Sequence, residues 1–81
     1  MKVQILGTGC PKCKALLANA EQAAEQAGKP VEVEKVEDLR EIMKFRVLST
    51  PALVINGQVK AAGRVLSADE IKKLLDSSGE A

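Results

Sequence analysis

Residues 7–14 read Gly7-Thr8-Gly9-Cys10-Pro11-Lys12-Cys13-Lys14 and hold both cysteines of the 81-residue chain. Just upstream, Val3-Gln4-Ile5-Leu6 is a short apolar run stopped by Gly7, the pattern of a buried strand. Just downstream, Pro11 suits the first position of a helix, where a missing N–H costs nothing. Leu16, Leu17, Ala20, Ala23, Ala24 and Ala27 then recur at helical spacing as one apolar stripe. Gly28 ends that helix and Pro30 prevents its return. The cysteines therefore stand at a strand-to-helix junction.

The rest of the chain continues the alternation. Val31-Glu32-Val33-Glu34-Lys35-Val36 reads as a second strand, parallel to the first because a helix separates them. Its alternating charges suit a sheet edge, where they discourage pairing with other molecules. Asp38-Leu39-Arg40-Glu41 has the form of a capping box, with Leu39, Ile42, Met43 and Val47 expected on the buried side of the helix that follows. Ala52-Leu53-Val54-Ile55 is a third strand, and Asn56-Gly57 is a two-residue hairpin turn because both positions require φ > 0. Gln58 to Ala62 returns, ending near Gly63. Ser67-Ala68-Asp69-Glu70 is a second capping box, and Ile71, Leu74 and Leu75 give the last helix its apolar stripe. The order βαβαββα makes an α/β domain over residues 1–77. A four-stranded mixed sheet with helices on both faces is expected, then a frayed tail over 78–81.

Composition narrows the function classes. Twelve basic against eleven acidic residues leave a net charge of +1, which argues against nucleic acid or an anionic membrane as partner. No apolar run approaches the roughly 18 residues that cross a bilayer. Met1-Lys2-Val3-Gln4 enters an ordered pattern at once, so the expectation is a soluble cytoplasmic monomer without a signal peptide. Phe45 is the only aromatic residue, so the core is built from Val, Leu, Ile and Ala. A bridge between Cys10 and Cys13 closes too short a loop to act mainly as a staple. In a reducing compartment such a pair is redox-active or metal-binding.

The junction favours thiolate chemistry. The first N–H groups of a helix have no intrahelical partners, and the helix dipole is positive there. A thiolate at Cys10 can accept hydrogen bonds from those amides, and Lys12 and Lys14 add positive charge. Cys10 is therefore expected to be the more acidic thiol, and Cys13, about a turn further in, the more buried one. Such an asymmetry serves thiol–disulfide exchange, in which one thiolate attacks a disulfide and a second resolves the mixed disulfide. Ser49-Thr50-Pro51 adds a proline at the start of a strand, a place where its missing N–H is tolerated.

With Cys10-Pro11-Lys12-Cys13 after the first strand and the run Phe45 to Gly57 containing Ser49-Thr50-Pro51, the chain resembles the thioredoxin/glutaredoxin superfamily. In particular it is similar to the small redox-active disulfide proteins, thioredoxin-like domains of glutaredoxin size. The resemblance covers the chain to about Leu75. It implies a thiol–disulfide oxidoreductase with Cys10 as nucleophile and Cys13 as resolving cysteine. It implies a cis Thr50–Pro51 bond beside the disulfide, with Thr50 offering its main chain to an extended substrate. Pro11 and Lys12 would support the dithiol, and Gly9 and Gly63 would line the substrate groove. No cofactor or metal is implied beyond the dithiol itself; the partners would be protein disulfides and a disulfide reductase. The chain departs from the pattern at three places: Gly9 stands where thioredoxins carry Trp, Gln4 near their buried Asp, and Ala62-Gly63-Arg64-Val65 where glutaredoxins carry a Gly-Gly-x-Asp-like element.

Two other readings use the same residues. Gly7-x-x-Cys10-x-x-Cys13 also fits the spacing of heavy-metal-associated domains, which carry Cu(I) on two thiolates. Those domains run βαββαβ and end in a strand. A binding adaptor would keep the groove and have no use for a reactive thiolate.

Overall fold

Seven elements appear in the computed structural model, which describes residues 1–9, 11–28, 30–47 and 49–77. They are β1 (Lys2–Leu6), α1 (Pro11–Gln26), β2 (Glu32–Val36), α2 (Leu39–Lys44), β3 (Ala52–Ile55), β4 (Gln58–Ala62) and α3 (Ala68–Ser77). This is the expected βαβαββα order. The tail over 78–81 lies outside the described residues.

The four strands form one sheet in the order β2-β1-β3-β4. β1 pairs with β2 in parallel, placing Leu6 opposite Val36, and with β3 antiparallel, placing Leu6 opposite Ala52. The sheet is therefore mixed, and β2 takes the edge position that its charged residues suit. β3 and β4 form the hairpin, with Asn56 at φ 50° and Gly57 at φ 84° as the turn demands. Asn56 is also tied to β1, donating its N–H to the Lys2 carbonyl at 2.8 Å and accepting the Lys2 N–H on Oδ1 at 3.0 Å. A register shift between Leu53 and Val54 marks a bulge in the hairpin ladder.

Strand alternation sorts the apolar residues onto two faces. Val3, Ile5, Leu53 and Ile55 point to one face and pack with Leu16, Ala20 and Ala23 of α1, Ile71 and Leu75 of α3, and Leu66 before α3. Ala20 and Ala23 carry small side chains where α1 meets the sheet, so the helix lies close. Asn19 Nδ2 donates to the Leu66 carbonyl at 2.8 Å and joins α1 to the loop that feeds α3. Leu6, Ala52 and Val54 point to the other face, where Ile42 of α2 covers them with half-buried Val36, Phe45 and Val47.

The helix ends show where local patterns held. Ser67 and Glu70 make the reciprocal capping box: Glu70 N–H donates to Ser67 Oγ at 3.1 Å, and Ser67 N–H to Glu70 Oε1 at 2.9 Å. The bond from Ser67 holds the Glu70 carboxyl below the usual carboxylate range. Asp38 caps α2 differently. Its Oδ1 accepts the Arg40 N–H at 2.8 Å, while Glu41 turns to Lys44 Nζ at 3.1 Å instead of reaching back. Leu39 and Met43, expected on the buried side of α2, are 62% and 71% exposed. With only six residues, α2 buries Ile42 alone and leaves those two on its outer side.

Candidate functional site

Gly7 brings the distant parts of the sequence to one place. β1 ends at Leu6, yet the Gly7 N–H still donates to the Val36 carbonyl at 3.0 Å, continuing the ladder with β2 by one step. α1 starts at Pro11, as its fixed φ favours. Cys13 thus falls on the first turn of α1, with its side chain directed back over the end of β1. It is buried, 5% exposed. A Cβ on Gly7 would overlap the Cys13 sulfur and would stand 3.9 Å from the Cα of Pro51. Only a residue without a side chain lets the Cys13 sulfur sit there.

The Ser49-Thr50-Pro51 segment enters from the far side. The Thr50–Pro51 peptide bond is cis, as the resemblance implied. Pro51 is buried and Thr50 is exposed, so the chain surfaces immediately before the site. Gly63 fastens this segment by donating its N–H to the Pro51 carbonyl at 2.8 Å. Gly63 stands at φ 74°, and a Cβ there would lie 2.9 Å from the Ser49 Cβ. The steric demand at Gly63 is therefore against Ser49.

The predicted site residues fall into two groups. Cys13, Pro51, Thr50 and Gly63 converge, with Gly7 between Cys13 and Pro51. Pro11 and Lys12 are exposed on the outer side of the first helical turn, beside this point. Gly9, at φ 90°, lies on the loop that leads into α1. Cys10 lies outside the described residues.

A small cavity of about 60 Å³ opens beside Cys13, between α1 and the end of β2. Ile5, Gly7 and Leu17 give it an apolar floor, while Lys14, Lys35 and Glu37 stand at its rim. Lys35 Nζ is 3.9 Å from Glu37 Oε2. Neither residue was singled out for the site from sequence. Their presence depends on the β1–β2 register, which brings the end of β2 level with Gly7, and a pattern of residue types along the chain does not carry that. Gln4, read as standing near the buried Asp of thioredoxins, is turned to the α2 face. Its Nε2 donates to Glu34 Oε1 at 3.1 Å, and that bond, followed by Lys2, holds the Glu34 carboxyl low.

No cluster of three or more His, Cys, Asp or Glu side chains placed to hold a metal occurs among the described residues. The βαβαββα order, ending in α3, is not the βαββαβ order on which the copper-carrier reading rested.

Comparison with known proteins bears on this geometry. A family model described as a thioredoxin domain matches residues 1–76. The chain is 41% identical over 75 residues to a thioredoxin of Methanothermobacter thermautotrophicus, covering 93% of this chain and 97% of that protein. It is 37% identical over 75 residues to a thioredoxin of Methanocaldococcus jannaschii, covering 93% of this chain and 86% of the relative. A solved structure described as "Structure of a malarial protein" superposes with a TM-score of 0.70 at 20% identity, over 94% of this chain and 93% of that one, a likeness of fold.

Proposed function

We propose, since the chain belongs to the thioredoxin family, that Cys10-Pro11-Lys12-Cys13 is its redox-active dithiol and that protein disulfides are its substrates. Cys10 attacks one sulfur of a substrate disulfide as the thiolate; a mixed disulfide forms and one substrate thiolate leaves. Cys13 then attacks the Cys10 sulfur. The intramolecular Cys10–Cys13 disulfide forms, and the second substrate thiolate leaves and takes up a proton. Two electrons pass from the dithiol to the substrate. A disulfide reductase, or another dithiol of lower potential, restores the starting state.

The observation that carries this reading is the packing of the Cys13 sulfur against Gly7 beside Pro51. A second thiol buried on the first turn of α1 supports a role in resolving a mixed disulfide while shielded from outside reagents. The exposed main chain at Thr50 is open to an extended substrate segment by strand addition. Gly63 keeps that approach clear by holding Pro51 through its N–H without adding a side chain against Ser49. The exchange needs no metal or organic cofactor. The chain would work as a cytoplasmic monomer, in a compartment that keeps the dithiol reduced. No helix among the described residues is long and apolar enough to cross a membrane.

The test is a thiol titration in a series of redox buffers, paired with Cys13→Ser. The expected result is a reversible two-electron transition in the parent chain and accumulation of mixed disulfides through Cys10 in the variant. A parent chain with no reversible disulfide and a tightly held stoichiometric metal ion would overturn the reading.

A further inference from the structure

We propose that the groove between β4 and α3 is a docking surface for an acidic, extended segment of a partner protein, which lies along β4 as a fifth strand. The inference is independent of the redox reading of the two cysteines.

The two edges of the sheet carry opposite charge. β2 ends the sheet on one side and β4 on the other. Beside β2 and the start of α2, Glu34, Glu37, Asp38 and Glu41 share a groove with the single cation Lys35. Beside β4 and α3, Lys60, Arg64 and Lys73 share a groove with the single carboxylate Glu70. The net charge of +1 thus conceals two opposed patches.

The acidic groove is largely neutralised from within. Glu34 faces Lys2 at 3.3 Å, Glu37 faces Lys35 at 3.9 Å and Glu41 faces Lys44 at 3.1 Å. The basic groove is not. Its one carboxylate is turned to the α3 cap, where the Ser67 N–H donates to Glu70 Oε1 at 2.9 Å, and Arg64 reaches the other oxygen only at 3.9 Å. Lys60 Nζ donates to the uncharged Gln58 Oε1 at 3.2 Å. Among the described residues neither Lys60 nor Lys73 forms an ion pair. Exposed cations without counter-charges select an acidic partner.

The backbone beside them is open as well. Ile55 and Gln58 flank the two-residue turn, so Val54 and Val59 form the next, non-hydrogen-bonded pair. The Val59 N–H and C=O therefore point away from β3, to the open edge. Lys60 is the extra residue of the bulge and lines the groove with Ala61. A segment paired to this edge sets every second side chain over the groove. Ala61, Leu66 and Leu74 give it an apolar floor, and its volume of about 590 Å³ takes several side chains rather than a single ion. An apolar side chain meets that floor. Carboxylates two positions to either side, roughly 7 Å away, meet the cations at the rim.

The same features decide against other occupants. A second copy of β4 would set Lys60 against a basic rim, and a lysine and a bulge on an edge strand discourage such pairing. The acidic edge of a second copy has three of its four carboxylates already engaged. Nucleic acid and anionic lipid offer phosphates but no peptide backbone for Val59.

The experiment titrates the full isotope-labelled chain at low salt with the capped peptide Thr-Glu-Thr-Val-Thr-Glu-Thr and follows the backbone amides. Shifts are expected to concentrate on β4 and α3, saturating at roughly millimolar peptide because a short segment must be ordered on binding. Raising the salt to about 0.5 M should weaken binding several-fold, since the cations are exposed. The peptide with Lys in place of both Glu should bind at least about tenfold more weakly, and Lys60→Glu with Lys73→Glu should reverse that preference. Both positions are exposed, and the comparison of the two peptides on the parent chain needs no variant. Shifts that are absent at about 10 mM peptide, equal for the two peptides, or confined to other elements overturn the inference. So do β4 amides that move on dilution of the chain alone, which would seat a second copy in the groove, and tighter binding there of an oligothymidylate of equal charge. None of these outcomes alters the thiol titration that tests the exchange reading.

Discussion

The two faces of the sheet differ in depth, and the difference shows where stability and function are lodged. On one face α1 and α3 pack with the sheet in one core cluster that runs from Val3 to Leu75. On the other, short α2 supplies Ile42 to cover Leu6, Ala52 and Val54, and leaves Leu39 and Met43 in solvent. Cys13 and its cavity belong to the deep face, at the end where β1 and β2 stop. Cys13, proposed as the resolving thiol, is therefore buried on the face with the larger core. Thr50, where substrate is proposed to dock, follows the shallow-face helix.

The contrast can be broken most directly by truncating each face in turn. Ile71→Ala on the deep face is expected to cost about 4 kcal/mol, because α1, α3 and the sheet close around it and relax little. That is a large part of the roughly 4–12 kcal/mol expected for a domain of this size. Ile42→Ala on the shallow face should cost about 2 kcal/mol, since α2 can settle onto the sheet. Urea unfolding measures both, with the slope unchanged if the transition stays two-state. Equal losses would mean that α2 is held as firmly as α1 and α3.

Gly7→Ala tests the seam between core and site. The added methyl overlaps the Cys13 sulfur, so a loss of about 1–3 kcal/mol is expected from overpacking. A disproportionate slowing of Cys13 resolution, read as release of the second substrate thiolate, should accompany it. A variant that unfolds like the parent and resolves at the parent's rate would show that the sulfur has another place to go.

Smaller effects sharpen the comparison at the helix starts. Ser67→Ala, which opens a closed capping box, should cost about 1 kcal/mol, and Asp38→Ala, with one capping bond, about 0.5 kcal/mol. Acid titration gives a separate check on the deep face. The Glu70 carboxyl titrates below its ordinary value of 4.5 when folded. Its bond to Ser67 thus adds stability above that value and loses it as pH falls through the lowered one. Glu70→Gln should flatten the acid limb of the stability curve below about pH 4.5. Leu39→Gln and Met43→Gln, on the exposed side of α2, should change stability by no more than about 0.5 kcal/mol.

Much of the fold was legible because its signals are local. Asn56-Gly57 demands a hairpin whatever surrounds it, Pro11 opens a helix, and Ser67 with Glu70 closes a cap within four residues. The reading of α2 was less successful for a physical reason. An apolar stripe of Leu39, Ile42 and Met43 states that a helix could bury one side, and whether it does depends on how much sheet lies beneath. Asp38 and Glu41 matched a capping box in type, yet Lys44, one helical turn away, took the Glu41 carboxylate.

The site divides along the same line. Cys-x-x-Cys at a strand-to-helix junction, and Thr-Pro before a strand, are properties of the chain read in order. They are local because a strand end, a helix start and a proline each impose their geometry on the residues beside them. Sequence therefore determined the spacing of the two cysteines, the helix that follows them, the hairpin and the order of elements. Tertiary structure alone decided that Gly7 is the seat of the Cys13 sulfur, that Gly63 holds Pro51, and that Lys35 and Glu37 share a cavity with Cys13. Those contacts join residues a dozen or more positions apart or depend on which way a side chain points. They exist only once the β1–β2 register and the packing of α1 have been set by burying the core.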